Sequence, residues 1–160
     1  YAEFAGGAFT GDAHHITAPH PEGRGAMMVM KLALEDAEMN PEEIDYVNLH
    51  GTSTGLGDIA EPKAVLEVFG EHAYSLSISS TKSMTGHLLG ATGAVEAFAS
   101  IMAIKTGDIP PTINFHKLDP NIDPKLDFTF NISKHRDVNA ALSNTFGFGG
   151  HNASLIFKKI

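Results

Sequence analysis

The segment Asp45-Tyr46-Val47-Asn48-Leu49-His50-Gly51-Thr52-Ser53-Thr54 joins two kinds of local order. Its first half, Asp45 to His50, is rich in strand formers and predicts a short strand. The Gly/Ser/Thr cluster from Gly51 to Gly57 predicts a turn, with Asp58 placed to cap a following helix. Ala60, Ala64, Val65, Val68 and Phe69 mark the buried face of that helix, and Gly70 ends it. Working upstream, Tyr1 to Phe4 is strand-like and Thr10 to Arg24 is a polar loop rich in Gly and Pro. Met27, Met30, Leu34 and Ala37 keep helical spacing from Gly25 to about Met39, where Asn40-Pro41 stops the run. Downstream, Tyr74 to Ser79 alternates Leu76 and Ile78 with serines and predicts a third strand. The order β, α, β, α, β points to a layered α/β fold.

From His87 to about Lys105 no polar face dominates. Gly90, Ala91, Gly93, Ala94 and Ala97 interleave with Val95, Phe98, Ile101, Met102 and Ile104, which predicts a helix buried on all sides. Each glycine there costs about 0.8–1.0 kcal/mol relative to alanine, so close packing has to offset it. Pro110-Pro111 closes the element, and Asn114 to Lys125 is a Pro/Asp/Asn-rich loop. Two last strands are expected at Asp127 to Asn131 and Ala140 to Phe157, the second interrupted by Phe146-Gly-Phe-Gly-Gly150.

The chain has 160 residues, 42% hydrophobic and 19% charged, which suits one domain with a real core. A chain of this size buries roughly 68–70% of its unfolded surface and needs no disulfide or metal as a staple. It holds no cysteine, so disulfides, thiolate-bound zinc, iron–sulfur clusters and a cysteine nucleophile of its own are excluded. Eleven Lys and Arg against nineteen Asp and Glu leave a net charge of −8, which opposes nucleic-acid binding. No apolar run approaches the roughly 18 residues of a membrane span, and no signal-like segment opens the chain, so a cytoplasmic location away from membranes is expected. The start at Tyr1, already in a strand-like segment, suggests a piece of a longer protein.

Three polar segments fall where strands end: Asn48 to Thr54, Ser79 to His87 and Ser143 to Asn152. In open α/β sheets that edge collects the site. Gly51-Thr-Ser-Thr-Gly55 formally matches the G-x-S-x-G elbow of serine hydrolases, but the capping Asp58 lies five residues beyond Ser53, which makes that reading remote. His14, His15 and His20 match no common zinc spacing, and an exposed loop accounts for them. His72, His116 and His135 sit in loops and carry no argument.

Taken together, His50-Gly-Thr-Ser-Thr with Gly57-Asp58, Ser80-Thr-Lys-Ser-Met-Thr-Gly-His87 and Phe146-Gly-Phe-Gly-Gly150 resemble the C-terminal half of a beta-ketoacyl-acyl-carrier-protein synthase. The resemblance spans essentially the whole chain and is closest to the type II elongating enzymes. It implies a thiolase-like half, a layered α/β arrangement with a mixed five-stranded sheet and a buried Gly/Ala-rich helix. It also implies that residues 1–160 form one C-terminal half, with the nucleophilic Cys in an absent N-terminal half. The implied activity is decarboxylating condensation of an acyl thioester with malonyl-acyl-carrier protein in fatty-acid elongation. His50 and His87 would hold the malonyl thioester carbonyl, with Lys82 beside them and Glu96 as its ion-pair partner. Phe148 would be the aromatic gate and an oxyanion donor through its N–H, with Phe146 beside the substrate. His151 stands where the family usually carries Thr. Thr52 and Thr54 would bind the pantetheine arm, although helix-entry capping explains them equally well. A structural, noncatalytic cation near Asn48, Glu96, Ser143 and Asn144 is a further expectation, and no cofactor is required.

The same resemblance implies an acyl-carrier protein as partner, docked through basic residues of the absent half, and a homodimer in the complete enzyme. A degradative thiolase would be expected to carry a C-terminal Cys base, which this chain lacks, and an initiating enzyme would pair His with Asn. A polyketide ketosynthase shares the motifs. A noncatalytic ketosynthase-like subunit that only binds carrier protein is the nonenzymatic alternative. The isolated chain is expected to be inactive in condensation.

Overall fold

Tyr46 and Val47 are both fully buried and face opposite sides of one sheet, as the two-residue period of a strand requires. The computed structural model describes residues 1–160. In chain order the strands are β1 (Glu3–Gly11), β2 (Tyr46–Asn48), β3 (Ser77–Ser79), β4 (Asp108–Ile109), β5 (Lys134–His135), β6 (Ala140–Gly147) and β7 (His151–Lys158). The helices are α1 (Arg24–Asp36), α2 (Gly57–Phe69), α3 (Lys82–Thr85) and α4 (Thr92–Thr106). Five strands form a mixed sheet in the order β1-β7-β6-β2-β3. β2 runs parallel to both β3 and β6, and the β6–β7 hairpin and β1 are antiparallel. β4 and β5 make a separate short pair.

The sheet separates two cores. Val47 packs with Met30 and Leu34 of α1 and with Ala64, Val65 and Phe69 of α2. On the other face Tyr46 packs with Ala103 and Ile104 of α4 and with Ala141 and Phe157. This is the layered α/β arrangement expected, and it brings the carboxyl ends of β2 and β3 together at one edge. No helix is long and apolar enough to cross a membrane.

Several local expectations are corrected. Asp58 does not cap α2: it sits in the first turn and accepts the Ser53 N–H at 3.1 Å, pulling the preceding turn onto the helix. Gly70–Ser75 winds as a 3-10 helix, which shortens β3 to three residues. The 127–131 stretch is not a strand, because only Phe128 and Phe130 bridge, to Ile78 and Thr112. The Gly/Ala-rich helix begins at Thr92 after a 3-10 turn at Leu89–Ala91, and it is not buried on all sides. The sheet covers only one side of it. Thr92, Glu96 and Ser100, at helical spacing, are buried with Ala103 and Ile104, whereas Phe98 is 64% exposed on the far side. The buried stripe is largely polar and the exposed one apolar, the reverse of an ordinary surface helix.

Candidate active site

His50 lies two residues beyond β2, where Leu49 still donates its N–H to the Ser79 carbonyl at 2.8 Å. The chain then turns at Gly51, whose φ of +39° favours glycine; a Cβ there would come within 2.7 Å of Ser80 Cβ. Two groups hold this turn. The Ser80 hydroxyl donates to the Gly51 carbonyl at 2.9 Å. From α2, the buried Glu61 carboxylate accepts the N–H groups of His50 (2.9 Å) and Gly51 (3.0 Å) and the Asn144 side-chain amide (3.2 Å).

His87 follows α3. Its Nδ1 accepts the Leu89 N–H at 3.2 Å and lies 3.0 Å from the Thr92 hydroxyl. A neutral ring whose Nδ1 accepts a backbone N–H carries its proton on Nε2. The His50 and His87 rings meet edge to face, with centroids 5.4 Å apart at 83°. Burial, aided by the positive charge of Lys82 and by His87, pushes the His50 pKa down from 6.5 to about 3, so its imidazole is neutral across the physiological range. His50 Nδ1 is buried and has no protein partner.

Lys82 and Glu96 form a buried ion pair, their side chains only 4% and 1% exposed. Thr145 donates its hydroxyl to the second Glu96 oxygen at 3.3 Å. Burial raises the Glu96 carboxyl above its ordinary range, and the hydrogen bond and charge of Lys82 oppose that rise.

Phe146, not Phe148, is the aromatic residue against this cluster, with its ring centroid 5.6 Å from that of His50. Phe148 is 78% exposed at the tip of the β6–β7 hairpin, where Gly149 and Gly150 take φ of +87° and +77°. That tip is tied to the loop after β1: Gly149 donates to the Ile16 carbonyl at 2.6 Å and Asp12 to the Gly150 carbonyl at 2.8 Å. Thr52 and Thr54 face each other with hydroxyls 3.1 Å apart and line a groove of about 660 Å³, whose walls also include Lys82, Ile113 and Phe130. The Ser53 hydroxyl bonds to neither histidine, so the elbow geometry of a serine hydrolase is absent.

The expected cation position combines the side chains of Asn48 and Glu96 with the backbone carbonyls of Ser143 and Asn144. Of these side chains, Asn48 offers a buried oxygen, Oδ1, without a partner. The Glu96 carboxylate bonds to Lys82 and Thr145. Ser143 is a mid-sheet residue paired with Asn48 and Leu155. A lysine ammonium already supplies the positive charge beside the one carboxylate.

Residues 1–116 match the model of the family described as Beta-ketoacyl synthase, C-terminal domain. The chain belongs to the beta-ketoacyl synthase family. This ketosynthase chain is 52% identical over 159 residues to 3-oxoacyl-[acyl-carrier-protein] synthase 2 of Synechocystis and, at the same identity, to that of Staphylococcus aureus. Both alignments cover 99% of the chain and 38% of the relative, so the chain spans less than two-fifths of the curated relatives it matches. Among solved structures, a beta-ketoacyl synthase from Burkholderia phymatum superposes with a TM-score of 0.91 at 42% identity, over 99% of this chain and 38% of that one. A ketosynthase solved in complex with a type II polyketide acyl-carrier protein gives a TM-score of 0.95 at 35% identity, over 100% and 39%. The thiolase-like α/β half with its mixed sheet is thereby shown.

Sequence reasoning singled out His50, His87, Lys82 and Glu96, and the ketosynthase fold places all four in one cluster. It missed Glu61 and the anchoring loop at Asp12 to Ile16, and it named Asn144 only beside a cation and not as a partner of Glu61. Glu61 sits between Ala60 and Ala64 on the apolar face of α2, and a carboxylate on a buried face was the available signal.

Proposed function

We propose that this chain supplies the decarboxylation part of an elongating 3-oxoacyl-acyl-carrier-protein synthase, and that residues 1–160 are its C-terminal half. The nucleophilic cysteine then comes from an N-terminal half. The observation that carries the reading is the edge-to-face His50–His87 pair, with His50 held neutral, beside the buried Lys82–Glu96 pair.

Malonyl-acyl-carrier protein presents its pantetheine arm along the groove past Thr52 and Thr54, whose hydroxyls suit its amides. The thioester carbonyl oxygen receives N–H bonds from His87 Nε2 and from His50. Loss of carbon dioxide sends the C–C bonding pair into an enolate, and the charge develops on the oxygen that the imidazoles face. Donors aimed at charge that grows in the transition state lower its energy more than that of the bound substrate. Lys82 opposes protonation of His50 and adds positive potential. The enolate carbon then attacks the acyl thioester on the cysteine; the tetrahedral intermediate expels the thiolate and leaves a 3-oxoacyl product on the carrier. Phe148, on its glycine-flanked tip, gates the acyl pocket, and Phe146 packs behind His50.

The relatives at 52% identity are 3-oxoacyl-[acyl-carrier-protein] synthases, which supports fatty-acid elongation, and the carrier-protein complex of one structural neighbour supports the partner. Dimerisation and a cytoplasmic setting belong to the same reading. A polyketide ketosynthase is the second reading, favoured by that same neighbour at 35% identity. The test is release of carbon dioxide from malonyl-acyl-carrier protein, with this chain alone and then combined with a cysteine-bearing N-terminal half. Activity on combination, lost in both His50→Ala and His87→Ala, is expected; undiminished release in both variants would overturn the assignment.

A further inference from the structure

His151 stands on β7 between two glycines. In register it faces Gly147 on β6 and Gly11 on β1, so neither flanking strand offers a side chain beside it. Its exposed ring leans instead over the tip of the hairpin. A Cβ on Gly149 would lie 3.1 Å from His151 Nε2 and 3.2 Å from its Cδ2, so the imidazole covers the face of Gly149 where a side chain would stand. The tip itself is a tight turn, in which the Gly147 carbonyl accepts the Gly150 N–H at 3.2 Å. Phe148 is the second residue of that turn and Gly149 the third, with φ of +87°, the position that takes positive φ in a type II turn. Through its own N–H, Gly149 also donates to the Ile16 carbonyl at 2.6 Å. Gly149 is thus held twice, by a hydrogen bond to the loop after β1 and by the His151 ring.

We propose that His151 is a specificity-determining positioning residue: its ring seats the Gly149 turn and so holds Phe148 against the swing that long acyl chains require. The inference rests on the gating reading of Phe148 for its catalytic consequence, and on the turn geometry alone for the seat. Turning the Phe148–Gly149 peptide carries the Gly149 N–H away from Ile16 and moves the glycine against the ring, so both restraints give way together. Glycine at 149 leaves that rotation sterically open. The ring supplies the resistance that glycine lacks, through several contacts that are each weak and add up. Threonine, which the sequence resemblance leads one to expect at 151, ends two bonds from its Cα and does not reach across to Gly149. A side chain of that length would leave the Ile16 hydrogen bond as the restraint on the turn. A seat of this kind does not weigh on all acyl chains equally. A chain short enough to fit with Phe148 at rest never displaces the turn, whereas a longer one binds only the swung form and meets the added cost of unseating it.

Two measurements test this. In the 160-residue chain, hydrogen exchange of the Gly149 amide, followed by proton–nitrogen NMR, should quicken about threefold to tenfold in His151→Thr, while amides of β6 and β7 away from the tip keep their parent rates. His151→Phe, which keeps a flat ring of similar reach, should restore slow exchange. In the chain combined with a cysteine-bearing half, kcat/KM for acyl transfer from hexadecanoyl-acyl-carrier protein should gain about threefold or more over that from butanoyl-acyl-carrier protein in His151→Thr. His151→Phe should return that ratio to its parent value. Unchanged exchange of the Gly149 amide in His151→Thr overturns the seat. Quickened exchange with an unchanged chain-length ratio overturns its role in specificity. Quickened exchange with no acyl transfer in any preparation, the parent included, supports the seat and refutes the condensing reading instead.

Discussion

Breaking the Lys82–Glu96 pair should cost far more than its solvent-exposed counterparts, and by an amount that depends on which partner is removed. With side chains 4% and 1% exposed, each charge has lost most of its water. Removing one partner of a buried pair typically costs about 3–5 kcal/mol, because the other charge stays behind unpaired. Lys82→Met leaves Glu96 with only the Thr145 hydroxyl. Its carboxyl, already raised by burial, takes up a proton more readily once the ammonium is gone, so this penalty shrinks as pH falls from 7 to 5. Glu96→Gln leaves an ammonium that acid cannot relieve, and its penalty persists over the same interval. The double variant removes both charges, and its loss should fall short of the summed single losses by at least about 2 kcal/mol. Urea unfolding followed by circular dichroism at pH 7 and pH 5 gives all four corners of the cycle. Additive losses within about 0.5 kcal/mol, or equal pH dependence in the two single variants, would show that the pair is not coupled as described.

Acid should destabilise the chain partly through His50. Its folded form holds the imidazole neutral, whereas the unfolded chain binds a proton below about 6.5. Stability is therefore full above that value and lost as pH falls toward about 3, by roughly 4–5 kcal/mol in the limit, and His50→Gln should lose correspondingly less between pH 7 and 4 in urea titrations. The two hairpin phenylalanines should separate: Phe146→Ala should cost about 2 kcal/mol on thermal or urea unfolding because its ring packs on His50 and the core, while Phe148→Ala should stay within about 0.5 kcal/mol and change which acyl chains are accepted. Phe98→Asp should leave the chain's stability within about 0.5 kcal/mol yet prevent combination with a cysteine-bearing half in a pull-down, since this apolar stripe is exposed on a chain that spans 38% of its relatives. Unimpaired combination would remove the stripe from that interface.

Much of the fold was legible because the signals were local. The strand formers of Tyr46 to Asn48 and the 3.6-residue spacing of Met27, Met30 and Leu34 depend on near neighbours in sequence, and they fall in β2 and α1. The misreading of α4 has a different origin. Periodicity measures which residues are apolar, and on α4 the apolar residues do not decide which face meets the sheet; Thr92, Glu96 and Ser100 do, because Lys82, Thr145 and His87 need partners there. At the site, His50 and His87 were recognisable from the turns that carry them, but the nearness of Phe146 rather than Phe148 follows from the hairpin's direction, set by two positive-φ glycines and by the loop after β1. For Glu61 the sequence offered only a carboxylate on an apolar helix face; its role was hidden because its donors, His50, Gly51 and Asn144, are 10 to 83 residues away.

The cluster also answers why a lysine should be buried at all. An unpaired ammonium in so dry a place would be a buried charge with nothing to offset the water it has lost. Glu96 supports the charged state of Lys82 at the distance of a direct hydrogen bond, and Lys82 is in turn the largest charge acting to keep His50 neutral. Glu61 performs the matching task on the backbone, holding the His50 and Gly51 N–H groups without neutralising anything nearby. Charge and geometry are thus divided between two buried carboxylates. Exchanging their roles through substitution should not be tolerated: a carboxamide at position 96 leaves the turn intact but exposes the buried lysine charge, whereas a carboxamide at position 61 leaves the ion pair intact but turns a donor toward one of the two backbone N–H groups. The Glu96 variant should therefore change mainly the acid dependence of His50 and the Glu61 variant mainly the aim of its ring. A nuclear magnetic resonance titration of the His50 side chain, read beside the backbone amides of His50 and Gly51, separates the two: a Glu96→Gln effect confined to the amides, or a Glu61→Gln effect confined to the ring's titration, would break this division of labour.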